Sequence, residues 1–541
     1  ILTRREIAAE HEWEIVRMHD PSLISRRSAL LAAACALASA SAAGRALGTG
    51  RHRRAPVPLP SAADIRRDYQ QMVDFGPRLP GNANHLAFVD WMAGQFQDAG
   101  LMLGPCESYS YRRWDPRRVS LDVLDDGVRR PIAKVTFFVR SAPTGPEGVT
   151  GPLVYGGLLK PTGPDALPDF PKGSILVFDG QLPRLTMGSL THPHFVHMGD
   201  EPKAASLDTP YHRLWTTPAF PLDDLAARGV VGVAIIMDVS SAMIEGNYSP
   251  HASHYRPKLP ALFVGQDAGE ELRRAAKAGR TAHLTLDAEW TTGDVPQLTA
   301  ILPGESDEVM IVDTHTDGQN FVEENGCITL LHLARHFASL PQGERLRRSI
   351  VFAGWPGHMT GEMPEAPGWA LAHPELMKRA AAAFTIEHLG SSEWLDIPGK
   401  GYAPTGHNEY MNCPTSAGPL TDIVVAGIKR HDLLRHGVEP GPGVTTGVVF
   451  HESGVPHMGL IGGPSYLLSI APNGHIDKLD AGLAARQTAM LADVIRQADK
   501  IPMAALKGGD PSLGAKPVTG TDTSRRGACR SPRRTPSNRS Q

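Results

Sequence analysis

The stretch "RSIVFAGWPGHMTGE", Arg348 to Glu362, sets the expectation for the fold. Its first eight residues are rich in β-branched and aromatic side chains, as is typical of a buried strand. The Pro-Gly pair that follows ends the strand in a turn, and the turn leads directly to one histidine, His358. In sheets built from strands and helices, ligands collect beyond the carboxyl ends of the strands. The stretch therefore predicts both a buried strand and a candidate site residue.

The same arrangement recurs on either side of this stretch, from Gln297 onward. The predicted strands are "EVMIVDT", "RSIVFAGW", "AFTIEH" and "VPHMGLIGG". The predicted helices are "CITLLHLARHFASL", "PGWALAHPELMKRAAA", "LTDIVVAGIKRHDLLRHG" and "LDAGLAARQTAMLADVIRQADK". Alternation of strands and helices is typical of α/β folds. We predict a mixed, mostly parallel open sheet flanked by helices.

Composition bounds the class of protein. A chain of 541 residues is too long for one compact core, so several domains are expected. Hydrophobic residues make up 41% and charged residues 21%, which indicates a globular chain that is neither disordered nor membrane-embedded. The net charge of −3 argues against a general nucleic-acid-binding protein. The five cysteines include no CxxC pair, so neither a thiolate metal site nor a disulfide framework is indicated.

Both ends of the chain differ from the rest. Residues 1–50 contain paired arginines (Arg26, Arg27), a short apolar run and small residues suited to cleavage, a pattern similar to a twin-arginine export signal. Met18 is a candidate for the true start. We expect export to the periplasm or the outside, with no stable membrane span in the mature chain. Residues 506–541 are predicted to be a disordered basic tail.

Three segments are predicted between these ends. Residues 55–147 form the N-terminal part of the main domain. Residues 148–290 contain short apolar strands separated by turn residues, which predicts an inserted β-rich domain. Residues 291–505 form the α/β core described above.

Polar side chains follow the predicted strands of this core. The strand "EVMIVDT" leads to His315 and Asp317, "RSIVFAGW" leads to His358, and "AFTI" leads to Glu387 and His388. Each one alone reads as an ordinary polar loop residue. Because parallel strands end at one edge of a sheet, we expect these side chains to lie close together. Imidazole and carboxylate are the ligands that zinc prefers, so the set predicts a metal site.

Two further segments supply the same chemistry. His475 follows "YLLSIAPNG", and "EENG", Glu323 to Gly326, precedes a predicted helix. Asp317 lies two residues beyond His315, on the same side of an extended chain, where its carboxylate could hold the second nitrogen of the imidazole. The histidine cluster "THPHFVHMGD" (191–200) and the pairs His251/His254 and His407/Glu409 could bind a metal or be polar loops. We find no GxSxG, Walker, HExxH or Gly-rich dinucleotide motif.

Over residues 62–505 the chain resembles the co-catalytic zinc exopeptidases, a family that includes bacterial aminopeptidases and glutamate carboxypeptidase II. The stretches that carry the resemblance are "DFGPRLPGNANHLAFVDWM", "VPQLTAILPGESDEVMIVDTHTDG" and "FHESGVPHMGLI" followed by "HIDKLD". The resemblance implies one or two zinc ions, peptide or small amide substrates, and a protease-associated domain in the inserted segment. It also implies that His315 and His475 are metal ligands and that Asp317 is the carboxylate behind them.

The chain departs from the family pattern at three places. The position of the bridging carboxylate is matched best by Glu324, with Glu323 as the alternative. The next ligand corresponds to Glu387, with His388 as the alternative. The Glu-Glu pair that the family places after "RSIVFAGW" reads Gly357-His358 here, so His358 is predicted as a ligand and the proton-transfer group is missing. Nearby carboxylates are the candidates to replace the missing proton-transfer group: Glu362 first, then Glu365 and Glu323.

Three functions remain open on these residues. The first is an exported metal-dependent exopeptidase-like hydrolase with an altered metal shell. The second is a non-catalytic peptide- or partner-binding protein on the same fold, because the Glu-Glu pair is missing. The third is a structural zinc site without chemistry, which would have no open coordination position.

Overall fold

Strands and helices alternate along the described chain, which in this computed structural model comprises residues 55–516 without residues 106, 126, 165–166, 201–206, 209, 219, 251–256 and 361–364. The strands are β1 (Met102–Leu103), β2 (Glu107–Asp125), β3 (Val128–Pro131), β4 (Thr136–Phe137), β5 (Val149–Lys160), β6 (Gly163–Pro164), β7 (Ile175–Gly180), β8 (Phe195–His197), β9 (Gly232–Met237), β10 (Ala261–Val264), β11 (Thr281–Leu302), β12 (Ser306–His315), β13 (Arg348–Trp355), β14 (Ala380–Ile386), β15 (Ser392–Ile397), β16 (Gly401–Asn408), β17 (Met411–Thr415), β18 (His436–Pro440) and β19 (His457–Gly462). The helices are α1 (Ala62–Val73), α2 (Ala83–Asp98), α3 (Met187–Thr191), α4 (Asp223–Ala227), α5 (Ser241–Ile244), α6 (Gln266–Lys277), α7 (Gly326–Ser339), α8 (Glu365–Ala372), α9 (Pro374–Arg379), α10 (Pro419–Arg430), α11 (Val448–Glu452), α12 (Ala481–Lys500) and α13 (Met503–Gly508). The predicted leader lies outside the described residues, as do residues 517–541 of the predicted tail.

The centre of the fold is a run of parallel strands. β12 pairs in parallel with β13 on one side and with β14 on the other, and β14 pairs in parallel with β19. β11 flanks β13 and β17 flanks β19, both antiparallel, so the sheet is mixed but mostly parallel at its centre. Every residue of β14 is buried, as expected for a strand covered by helices on both faces. The predicted fold class, a mixed and mostly parallel sheet flanked by helices, is confirmed.

A second group of strands is joined to this core through β11. β5, β7, β9 and β10 pair in parallel, and β4 closes the far edge antiparallel to β10. β11 pairs with β5 and β2 over its first part and with β13 over its last five residues. The strand therefore runs without interruption through the boundary predicted between residues 290 and 291. The long ladder with β2 keeps the segment extended across this position.

The described residues from Pro56 to residue 516 belong to one compact unit, so the internal domain boundaries at 147/148 and 290/291 stay predictions. At the C-terminal side the folded chain continues past residue 505. Leu506 in α13 is buried, and the carboxylate of Asp510 accepts a hydrogen bond from the amide of Ala417. These contacts anchor the first residues of the predicted tail. Within residues 55–516 as described, no helix combines the length and apolar character needed to cross a membrane.

Helix α7 starts in very close contact with the end of β14. A Cβ atom on Gly326 would lie 2.1 Å from the carbonyl oxygen of Ile386 and 2.3 Å from Oγ1 of Thr314. The side chain of Asn325, just before the helix, both donates to the carbonyl and accepts from the amide of Leu389. These contacts fix the segment before α7 beside the carboxyl ends of β12 and β14.

We expect Gly326→Ala to lower the free energy of unfolding by about 1–3 kcal/mol, because the added methyl group must displace backbone rather than a flexible side chain. Thermal unfolding measures the change. Gly343→Ala is the matched control, since nothing lies within 4 Å of a Cβ atom at that position. Equal unfolding temperatures for the two variants would show that α7 does not depend on this approach.

Candidate metal centre

Three parallel strands deliver polar side chains to one edge of the sheet. β12 ends at His315, β13 is followed by the turn that carries His358, and β14 is followed directly by Glu387 and His388. β12 and β13 are paired in register up to His315 and Trp355, so their ends are level. The short segment before α7 adds Glu323. The parallel strands converge at this edge as the sequence predicts.

Five side chains come together there in two overlapping groups. His315, Glu323 and His388 form one group, and His315, His358 and Glu387 form the other. Within each group the candidate ligand atoms all lie within 4.8 Å of one another. His315 belongs to both, and its ring centroid lies 4.0 Å from that of His358. The edge of the sheet therefore presents a compact set of nitrogen and carboxylate oxygen donors.

Glu323 lies at the middle of this set. Its Oε1 is 3.4 Å from Nε2 of His358, and its Oε2 is 3.6 Å from Nε2 of His388. Both carboxylate oxygens of Glu323 and Nε2 of His388 are buried and have no hydrogen-bond partner among the described residues. Buried polar atoms left in this way carry a desolvation cost unless a further group compensates it. A divalent cation fits, because every atom that faces the middle is a lone-pair donor.

Burial decides the protonation of these groups. Burial, followed by the charges of Glu324, Glu387 and Asp317, raises the pKa of Glu323 well above its usual value. Burial also raises the pKa of Glu387 to about 7, against the opposing effect of hydrogen bonds from Thr446. Burial and then His315 lower the pKa of His388 to about 3. A bound cation would reverse the preference of the two carboxyl groups for the protonated form, and it would match the preference of His388 for the neutral form.

Asp317 contacts the imidazole of His315 through its backbone carbonyl oxygen, whereas the sequence predicted a contact through its carboxylate. Its backbone carbonyl oxygen accepts a hydrogen bond of 2.8 Å from Nδ1 of His315. Its carboxylate accepts from the amides of His358 at 3.1 Å and Met359 at 2.6 Å. The first amides of a helical turn have no partner within the turn, and they attract the carboxylate away from the imidazole. Asp317 thus fixes both the orientation of His315 and the turn that carries His358.

Glu324, the first choice from the sequence for the bridging ligand, has a different partner. Its carboxylate pairs with the guanidinium of Arg78, and both side chains are at most 1% exposed. Arg78 also donates to the carbonyl oxygens of Met72 at 2.9 Å and Asn320 at 2.8 Å. Burial raises the pKa of Glu324 to about 7, and Arg78 opposes that rise. The open alternative between the two neighbours therefore favours Glu323, which faces the histidines.

His475, also predicted as a ligand, belongs to neither donor group. Its Nδ1 lies 3.3 Å from Nζ of Lys478, and its ring centroid lies 5.5 Å from that of Tyr466. Burial and then Lys478 lower its pKa to about 4. Nε2 of His475 is buried with no hydrogen-bond partner in the described part of the chain. Its role as a metal ligand stays a prediction.

The other site residues predicted from the sequence lie in a donor group, in an unrelated contact or outside the described residues. Both Glu387 and His388, left as alternatives, belong to a donor group. Glu362 lies outside the described residues, and so do His251 and His254. In the cluster 191–200, His197 lies 3.2 Å from the carboxylate of Asp432. Among the described residues the cluster 191–200 forms no metal group.

Sequence reasoning missed several residues that shape the site. Arg78 lies in the quoted "GPR" motif, but nothing in the motif reveals that its partner is 246 positions away. Thr446 donates to Oε1 of Glu387 from its amide at 3.0 Å and from its hydroxyl at 3.1 Å. Tyr111 packs against Gly357. No local pattern connects these residues to the strand ends.

We expect Glu323→Gln and Glu324→Gln to have different effects. Glu323→Gln removes a donor and should weaken zinc binding by more than the roughly 10–100-fold that loss of an outer hydrogen-bond partner costs. Glu324→Gln leaves Arg78 buried without its counter-charge and should destabilise the fold by about 3–5 kcal/mol. Competition with a chromophoric chelator measures the first effect and thermal unfolding the second. The reverse pattern would return the ligand role to Glu324.

Zinc affinity should also depend on pH. Glu387, with a pKa of about 7, and Glu323, whose pKa is raised well above its usual value, carry protons that the ion must displace, so affinity should rise with pH by about tenfold per pH unit for each displaced proton. His388 is already neutral in this range and adds no dependence. Chelator competition from about pH 5 to about pH 8 tests this linkage. An affinity that is flat below the pKa of Glu387 would contradict it.

Comparison with known proteins supports the fold. No protein-family model and no curated protein sequence matches this chain. The solved structure "Peptidase M28 precursor" from Shewanella amazonensis SB2B is 17% identical, covers 81% of this chain and 96% of its own length, and has a TM-score of 0.56. For BSAP, a zinc aminopeptidase from Bacillus subtilis, the values are 17%, 83%, 98% and 0.54. For an aminopeptidase from Aneurinibacillus sp. strain AM-1 they are 18%, 81%, 94% and 0.52. This chain has the fold of these aminopeptidases.

Proposed function

We propose that this protein is a zinc-dependent hydrolase of peptide or small amide bonds, of the exopeptidase type. The observation that carries the proposal is the pair of donor groups that share His315 at the carboxyl edge of the parallel strands. Imidazole nitrogens and carboxylate oxygens are the ligands of catalytic zinc sites. The similarity of the fold to that of proteins named as zinc aminopeptidases adds support and favours peptide substrates.

The geometry favours a single ion. Nδ1 of His315 faces a carbonyl oxygen, which can only accept, so this nitrogen carries the proton and Nε2 alone can ligate. One nitrogen cannot serve two ions, and His315 is common to both donor groups. Two ionised carboxylates, Glu323 and Glu387, also match the charge of one divalent cation. The altered metal shell would then consist of His315 with either Glu323 and His388 or His358 and Glu387.

A zinc ion held here would act as a Lewis acid on a carbonyl group and lower the pKa of a bound water. The chain's own residues position the donors. Asp317 orients His315 and the turn of His358, and Thr446 orients Glu387. Arg78 supplies a counter-charge to Glu324 directly beside Glu323, which offsets part of the negative charge at the site. Glu362 stays the predicted proton-transfer group.

Two features predicted from the sequence belong to this proposal. The leader at residues 1–50 would export the protein to the periplasm or the outside. The segment at residues 148–290, with its parallel strands β5, β7, β9 and β10, would be a protease-associated domain.

Purified protein should contain about one zinc per chain and hydrolyse aminoacyl or peptide substrates, because the donor set matches a catalytic zinc site. His315→Ala should lose both properties together, since it removes the donor common to both groups. Metal analysis and hydrolysis of a library of aminoacyl and N-blocked peptides measure the two effects. His407→Ala, at an exposed position, is the control.

The outcomes separate the alternatives. Activity that is lost with a chelator, restored by zinc and absent in His315→Ala supports the hydrolase. Bound zinc without turnover across the library would instead support a non-catalytic peptide-binding protein. Full activity in His315→Ala would exclude the site altogether.

A further inference from the structure

The ring of His388 is oriented by one backbone carbonyl group, which belongs to Gly462 at the end of β19. Nδ1 of His388 donates a hydrogen bond to this oxygen, which can only accept, so Nδ1 carries the proton and Nε2 is the nitrogen left to ligate. Nε2 lies 3.6 Å from Oε2 of Glu323. The backbone of His388 is in the left-handed region, at φ 64°, which a non-glycine residue keeps only where its surroundings hold it. The direction of the Gly462 carbonyl therefore decides where Nε2 points.

Of the two donor groups, the one that contains His388 has fewer ligand atoms engaged elsewhere. Oε1 of Glu387, in the other group, accepts two hydrogen bonds from Thr446. Both carboxylate oxygens of Glu323 and Nε2 of His388 have no hydrogen-bond partner among the described residues. Buried lone-pair donors in this state are stabilised by a cation placed between them. These atoms favour His388 as a ligand of the ion.

The end of β19 is fixed by two side chains from the segment 148–290. Gly462 is followed by a second glycine, so the backbone here has little intrinsic preference for one conformation. The hydroxyl of Tyr211 donates to the carbonyl oxygen of Gly463 at 2.9 Å, and Nε of Arg213 donates to the same oxygen at 3.0 Å. A Cβ atom on residue 463 would lie 1.9 Å from the hydroxyl oxygen of Tyr211, so this approach requires glycine. The segment is thus hydrogen-bonded one residue beyond the carbonyl that orients His388.

Arg213 also connects the two strands that meet at this point. β17 and β19 are antiparallel, and Gly462 lies opposite Met411 at the start of β17. Nη2 of Arg213 lies 3.1 Å and 3.2 Å from the two carboxylate oxygens of Glu409, which precedes β17. Both side chains of this pair are at most 2% exposed, so each is held by the cost of leaving the other buried and unpaired. Arg213 therefore ties the beginning of β17 to the residue after the end of β19.

We propose that Tyr211 and Arg213 are positioning residues for His388: by fixing the carbonyl of Gly463 they hold the preceding carbonyl, that of Gly462, in the direction that aims Nε2 of His388 at the ion. The role rests on the proposed zinc site. Neither side chain belongs to a donor group, and no proton or other group is transferred. A part of the chain that the sequence predicts to be a separate inserted domain thereby contributes to the metal affinity of the core.

The test compares two double variants of the full-length protein. Arg213→Met/Glu409→Met and Arg435→Met/Glu393→Met each replace a buried arginine–glutamate pair with apolar side chains, a change that is often neutral for stability. Only the first removes a donor to Gly463. It should weaken zinc binding by about tenfold, the lower end of the cost of losing an outer hydrogen-bond partner, because the ligand's own hydrogen bond remains. The second should bind zinc like the wild type, as measured by competition with a chromophoric chelator.

A cycle with His388→Ala separates positioning from a general loosening of the fold. If Arg213 acts through His388, Arg213→Met/Glu409→Met should not weaken zinc binding further once His388→Ala is present. The absorption spectrum of the cobalt(II)-substituted protein should change in Arg213→Met/Glu409→Met, because one ligand is displaced, and stay that of the wild type in the control. An equal loss of affinity with and without His388 would show a purely structural effect and would overturn the proposal.

Tyr211→Phe decides the case in which a double variant fails to fold or His388→Ala binds no measurable zinc. It removes one hydroxyl donor and keeps the ring. Its control is Tyr155→Phe, which removes a hydroxyl that is bonded to Asp179 elsewhere in the same segment. Zinc affinity should fall in Tyr211→Phe, by less than about tenfold because Arg213 remains, and stay at the wild-type value in Tyr155→Phe. Equal affinities in the two variants would overturn the positioning role.

These measurements need no substrate, so their outcome is independent of the proposed reaction. Coupling to His388 in a protein that hydrolyses nothing would overturn the hydrolase and leave the positioning role standing. An active zinc hydrolase whose zinc affinity does not depend on Tyr211 or Arg213 would do the reverse. A protein that binds no zinc would overturn both.

Discussion

The constraint on which the rest of this structure depends is the burial of several ionisable side chains in one small volume. Glu323, Glu387 and His388 are each at most 3% exposed and face one another at the sheet edge. Water cannot solvate their charges, so the surrounding chain must supply partners or a cation must be bound. Arg78 supplies a counter-charge to Glu324, and Thr446 donates a hydrogen bond to Glu387. The donors that remain are concentrated at the one place where a cation satisfies them together.

The sequence was sufficient for the fold class and for naming candidate side chains at the strand ends. His315, His358 and Glu387 could be found because buried strands are recognisable from their composition and parallel strands end at a common edge. The choice between Glu323 and Glu324 could not be made in that way. It depends on a one-residue difference in a turn, and the observation that favours Glu323 is the pairing of Glu324 with Arg78, which lies 246 positions away. Tyr111 is equally remote from Gly357 in the sequence, so only the three-dimensional structure reveals that the two residues touch.

The contact between Asp317 and His315 is a second case in which the sequence suggests that two residues are neighbours but does not identify the atoms that meet. Its spacing from His315 predicted a contact between its carboxylate and the imidazole, whereas in the structure its backbone carbonyl oxygen accepts a hydrogen bond from Nδ1 of His315. The atom involved could not be predicted, because the backbone carbonyl and the carboxylate of an aspartate are both within reach of an imidazole. The amides of His358 and Met359 compete for the carboxylate, and they lie on the neighbouring strand's turn. Interactions between neighbouring strands therefore determine details that spacing along one strand leaves open.

Strand β11 has a further consequence for how this protein can change in evolution. Its 22 residues pair with β5 of the second group of strands at one end and with β13 of the central sheet at the other. The segment from 148 to 290 thus ends inside a strand rather than in a linker, and its removal as a cassette would cut that strand. An insertion or deletion of a single residue in β11 would turn inward-facing side chains outward in whichever part of the ladder lost its register. Recombination is tolerated best at exposed loops, and β11 offers none at this junction.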